Sequence, residues 1–183
     1  MGTTLPQIAQ YLDERAWKYK LDEENERIIT GVKAENVEDF WIFINLKENG
    51  EYFQMVAPEL LTGIKDHIYK GVLFQTLLAL SWDTKMVRWE YDLVDGEVRA
   101  SIDFPLEDGI LTQRQFDRCL DSLIRLVDEL AMPRLKTVLE IGEDPGEKEL
   151  GERLLLNLQE ILPNGALGLL EQAIAARKQR GIS

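Results

Sequence analysis

The sequence predicts an α+β fold: a five-stranded antiparallel sheet with helices packed on one of its faces. Three observations carry this. Two β-prone stretches flank Asn49-Gly50 and two more flank Asp95-Gly96, so each pair reads as a hairpin. Apolar residues at helical spacing fill the segments before, between and after those hairpins. The resulting order is helix, three strands, helix, two strands, helix, and then a helical pair.

The first helix carries Ile8, Leu12, Ala16 and Tyr19 on one stripe, with Leu5 just upstream, Thr4 able to cap and Pro6 in the first turn. Residues 22–26 form a charged turn, and residues 28–32 a short strand. In the first hairpin, Asn-Gly suits a two-residue turn because both central positions need positive φ. Counting outward from it places Leu46 opposite Phe53, Ile44 opposite Met55 and Ile42 opposite Ala57. The other face then pairs Phe43 with Val56, Asn45 with Gln54 and Lys47 with Tyr52, with Trp41 at its end.

The same counting about Asp95-Gly96 pairs Leu93 with Val98, Tyr91 with Ala100, Trp89 with Ile102 and Val87 with Phe104. Its opposite face sets Asp92 against Arg99 and Arg88 against Asp103, a charge pattern that a one-residue slip would bury. Between the hairpins, Ile64, Ile68, Val72, Leu73, Thr76, Leu77 and Leu80 trace the stripe of a helix packed on the sheet. After them, Thr112 and Gln115 make a capping box, Leu111 can staple against Phe116, and the stripe continues through Leu120, Leu123, Val127 and Leu130 until Pro133 stops or kinks it.

Asp144-Pro145-Gly146 marks an internal boundary, giving a domain over residues 1–143 and a helical extension over 144–183 packed on it. The extension carries one stripe at Leu150, Leu154, Leu158 and Ile161, a break at Pro163-Asn164-Gly165, and a second at Leu167, Leu170 and Ile174. Its basic end, Arg177, Lys178 and Arg180, suits the negative end of a helix dipole.

Composition narrows the function. The chain has 183 residues, 45% hydrophobic and 30% charged, an ordinary globular mix. With 33 acidic and 21 basic side chains its net charge is −12, which argues against a nucleic-acid binder, since neutralising phosphates needs a basic face. No apolar run is long enough to span a bilayer, and the opening residues lack the basic start and apolar stretch of a signal peptide. A single cysteine, Cys119, suits a reducing compartment.

Motifs for catalysis are absent: no glycine-rich phosphate loop, no Gly-x-Ser-x-Gly elbow, no His-Glu-x-x-His. His67, the sole histidine, reads as a helix-start residue near solvent, and Cys119 as a small core or boundary residue. The acidic stretches 22–26 and 140–144 lack the alternating spacing of a calcium loop and read as solvated turns. The expectation is a non-enzyme with no cofactor and no metal.

One feature is less ordinary. The outward face of the first hairpin carries Trp41, Phe43, Tyr52 and Val56, whereas the matching face of the second is charged. Such a patch is either covered by the C-terminal helices or is an interface for a second copy or a client segment. A second candidate is a small-molecule or lipid pocket between sheet and helices, lined by Trp82, Trp89 and Tyr91.

Three stretches carry a family resemblance: Leu77-Leu78-Ala79-Leu80-Ser81-Trp82 closing the central helix, residues 87–98 with Trp89, Tyr91 and Asp95-Gly96, and residues 111–130. With the first helix and first hairpin, residues 5–139 resemble the YbjN family and its structural relatives, the type III secretion chaperone-like proteins. The resemblance implies the order α-β-β-β-α-β-β-α. It also implies a small, acidic, non-enzymatic cytoplasmic protein, often a homodimer, that binds a polypeptide client without ATP. The extension beyond Pro145 departs from that pattern.

Overall fold

The computed structural model describes residues 2–146, and beyond them 151–152, 168–169 and 172–175. The chain divides into two units, Met1–Asp144 and Pro145–Ser183, and the architecture below is that of the first. The two apolar stripes and the basic end read from the C-terminal sequence fall largely outside the described residues.

Helix α1 (Leu5–Glu14) starts in a full capping box, with Thr4 Oγ1 accepting from the Gln7 N–H and Gln7 Oε1 accepting from the Thr4 N–H. It ends sooner than its apolar spacing predicts. Ala16 takes φ 52°, and the Ala16 and Trp17 N–H groups donate back to Asp13 and Leu12 carbonyls, a left-handed helix stop made without glycine. Tyr19 therefore belongs not to the helix but to a strand, β1 (Tyr19–Asp22), and the sheet has six strands rather than five. The Trp17 indole N–H donates to Thr30 Oγ1, whose hydroxyl donates to the Lys18 carbonyl, tying β1 to β2 (Arg27–Val32).

Strands β3 (Phe40–Lys47) and β4 (Tyr52–Leu61) meet in the expected register from Lys47–Tyr52 to Phe43–Val56. Asn49 and Gly50 take φ 56° and 88°, and the Glu51 N–H donates to the Glu48 carbonyl at 3.1 Å, the turn that Asn-Gly favours. The pairing of Ile42 with Ala57 does not form: the β3–β4 ladder ends at Phe43–Val56, where β4 enters an irregularity between Ala57 and Leu61, although Ala57 keeps its pairing with Ala100 of β6 (Val98–Pro105) on the other edge.

The second hairpin is shifted by two residues from its expected register. In β5 (Arg88–Tyr91), Tyr91 faces Val98, Glu90 faces Arg99, Trp89 faces Ala100 and Arg88 faces Ser101. The cause is a six-residue loop. Asp92 Oδ1 accepts from the Val94 N–H and Asp95 Oδ1 from the Glu97 N–H, while the Gly96 carbonyl accepts from the Ile64 N–H. Gly96 has φ 76°, and a Cβ there would meet the Lys65 nitrogen at 2.6 Å. Leu93 and Val94 consequently leave the ladder for solvent, 77% and 83% exposed. A two-residue shift preserves sidedness, so the buried set Val98, Ala100 and Ile102 stands, whereas the expected Asp92–Arg99 pair is replaced by Glu90–Arg99 at 2.6 Å.

Helix α2 (Lys70–Asp83) begins six residues after Ile64, which lies in a short 3-10 turn, and Ile68 is exposed rather than part of the packed stripe. Helix α3 (Gln113–Arg125) opens in the expected Thr112–Gln115 box, with Leu111 and Phe116 both fully buried. Pro133 does not end it. The chain widens into a π turn over Leu126–Ala131 and continues as α4 (Met132–Ile141), with Pro133 in the first turn of α4. Gly142, at φ 76°, stops α4 under the ring of Tyr69.

The sheet order is β1-β2-β3-β4-β6-β5, all antiparallel. Alternate residues on one face, among them Ile28, Ile42, Ile44, Phe53, Met55, Ala100 and Ile102, join Ile8, Leu12, Leu73, Leu80, Phe116 and Leu120 of the helices in a single core. Phe116 meets Phe53 edge-on at 6.4 Å.

Candidate functional site

The strand residues pointing away from the helices divide into two halves of different chemistry. On β4, β5 and β6 they are, apart from Val56, polar and largely engaged with one another. Tyr52 donates its hydroxyl to Asp103, Arg88 pairs with both Asp103 and Glu90, Arg99 pairs with Glu90, and Ser101 donates to Glu90 at 3.0 Å. The bond to Asp103 raises the Tyr52 phenol above its ordinary range. Burial pushes the Glu90 carboxyl up, but Arg99 and Ser101 outweigh it and hold it below the usual value.

On β1, β2 and β3 the same face exposes aromatic and aliphatic surface flanked by basic side chains. Two rows cross the three strands. In one, Lys20 is level with Ile29 and then Phe43. In the other, Lys18 lies one step beyond the Tyr19–Thr30 pair and is followed by Gly31 and Trp41. The indole lies against bare backbone, since a Cβ on Gly31 would stand 3.2 Å from Trp41 Cζ3. Trp41 is nevertheless 60% exposed. The Arg27 guanidinium lies 4.3 Å from the Phe43 ring centroid and is held by Asp22, whose carboxyl its hydrogen bond lowers. A groove of about 600 Å³ results, lined by Lys18, Lys20, Ile29, Gly31, Trp41 and Phe43 together with Tyr19.

The four residues read from the sequence as one patch thus separate. Trp41 and Phe43 share the groove. Val56 adjoins Phe43 across the ladder but is 6% exposed, outside the main core. Tyr52 belongs to the polar half. The groove residues that sequence reasoning missed lie on β1 and β2, and Gly31 and Ile29 are placed by register alone.

Trp82, Trp89 and Tyr91 do not gather into a pocket. Trp82 is 90% exposed on α2, while Trp89 and Tyr91 are partly buried on β5, Tyr91 edge-on to Phe74 at 4.7 Å. His67 Nδ1 accepts from the Tyr69 N–H, and burial pushes the Cys119 thiol up to about 11, out of the range of a nucleophile at neutral pH. Asp144, expected in a solvated turn, is buried and accepts from Arg134 Nε at 2.6 Å and Thr76 Oγ1 at 3.0 Å. Among the described residues no group of three or more His, Cys, Asp or Glu could hold a metal ion, and no helix is long and apolar enough to cross a membrane.

No family model matches the chain, and no curated protein matches it. Solved structures do. The fold is that of YbjN from E. coli, described as a candidate transcription regulator, with a TM-score of 0.53 and 13% identity over 70% of this chain and 89% of that one. A weaker similarity, TM-score 0.44 and 15% identity, links 64% of this chain to 84% of a chain in the HopA1–SchA chaperone–effector complex. At these identities the YbjN likeness is one of fold.

Proposed function

We propose that this chain is a non-enzymatic polypeptide-binding module, chaperone-like or regulatory in the cytoplasm, that takes its partner on the face of the sheet opposite helices α1 to α4. The observation that supports it is Trp41, open to solvent beside Phe43 and seated on Gly31. Covering the rest of that indole contributes on the order of 3 kcal/mol, enough to anchor an interface. The description of YbjN as a candidate regulator agrees with recognition rather than catalysis.

The double variant Trp41→Ser, Phe43→Ser tests the reading. It is expected to unfold cooperatively in urea, within about 2 kcal/mol of wild type, and to lose polypeptide binding or self-association in sedimentation. Loss of the fold would make these residues core. A folded double variant with unchanged association would remove the face from the account.

A further inference from the structure

Resting on that reading, we infer that the segment received by the Trp41 groove is acidic as well as apolar. The chain as a whole carries −12 and would repel such a partner. The groove is an exception to that field. Its lining includes Lys18 and Lys20 and no carboxylate. Both lysines are exposed, and among the described residues neither forms an ion pair, whereas Arg27 at the groove's end is already neutralised by Asp22.

Geometry sharpens the match. Each row sets an ammonium, from Lys20 on β1 or from Lys18 just before it, beside a small or aliphatic residue on β2 and an aromatic ring on β3. With strands about 4.8 Å apart, the line of charge runs parallel to the line of rings at about 10 Å. Along each line the repeat is two residues, about 7 Å, on the strand. A partner that fits presents apolar or aromatic side chains to Trp41 and Phe43, and carboxylates along one flank to Lys18 and Lys20. Two lysines are too few to neutralise a nucleic-acid backbone against the surrounding negative charge, so a polypeptide is the favoured occupant.

The test is a random peptide display library selected on the wild-type chain and counter-selected on Trp41→Ser. Enriched sequences are expected to combine aromatic or aliphatic residues with Asp or Glu. A fluorescein-labelled peptide of the enriched sequence should bind the Lys18→Glu, Lys20→Glu variant at least about tenfold more weakly at low salt, with the difference shrinking as salt is raised. Trp41-dependent enrichment of neutral or basic sequences, or a charge-reversed variant that binds equally well, overturns the acidic partner and leaves the face standing. Absence of any Trp41-dependent sequence overturns the face itself. Trp41-dependent binding of an oligo-dT probe overturns the polypeptide class.

Discussion

Asp128 stands in the π turn that precedes Pro133, and its two oxygens accept the N–H groups of Glu35 and Asn36 at 3.0 and 2.8 Å. Those donors lie midway along the loop between β2 and β3 and have no ladder partner. Burial pushes the carboxyl up, but these N–H groups together with the Asn36 side chain and the Val37 N–H outweigh it and hold it below the usual carboxylate range. A group whose folded value is depressed stabilises the fold fully above its unfolded value, about 3.9, and loses that contribution as pH falls through the folded value. The stability gap between wild type and Asp128→Asn, measured by urea unfolding, should therefore be widest at neutral pH and narrow stepwise below about pH 4. A gap independent of pH would contradict the assignment.

At the scale of elements, the hairpins show what a local signal can carry. Asn49-Gly50 sets its own turn, and the register of β3 and β4 follows by counting. The turn at Asp95-Gly96 depends on a distant contact, the Gly96 carbonyl with Ile64, so the same counting lands two residues away while keeping every side chain on its proper face. A double-mutant cycle checks the observed register: Glu90→Ala with Arg99→Ala should show coupling of about 0.2–1 kcal/mol, and Asp92→Ala with Arg99→Ala none. The reverse result would restore the two-residue loop. β1 escaped the sequence reading for a related reason. Leu12, Ala16 and Tyr19 fit helical spacing, and the stop is made by Ala16 rather than by a glycine that would announce it. The period-two alternation of Lys18 and Lys20 with Tyr19 and Leu21 was the available signal, and losing it hid the basic side of the groove. The continuation of helix past Pro133 needed the π turn, which no single residue in the sequence advertises.

For the unit Met1–Asp144 as a whole, one side of the six-stranded sheet is committed to helices α1 to α4, and the other is divided between a closed polar network and an open aromatic groove. Trp82, 90% exposed on α2, supplies a built-in control, because it presents the same ring chemistry on the helical side. Hydroxyl-radical footprinting of the free chain and of the chain saturated with a selected peptide, read residue by residue by mass spectrometry, compares the two surfaces directly. The account predicts that Trp41 and Phe43 become protected while Trp82 oxidises as before; protection of Trp82 with Trp41 unchanged would contradict it.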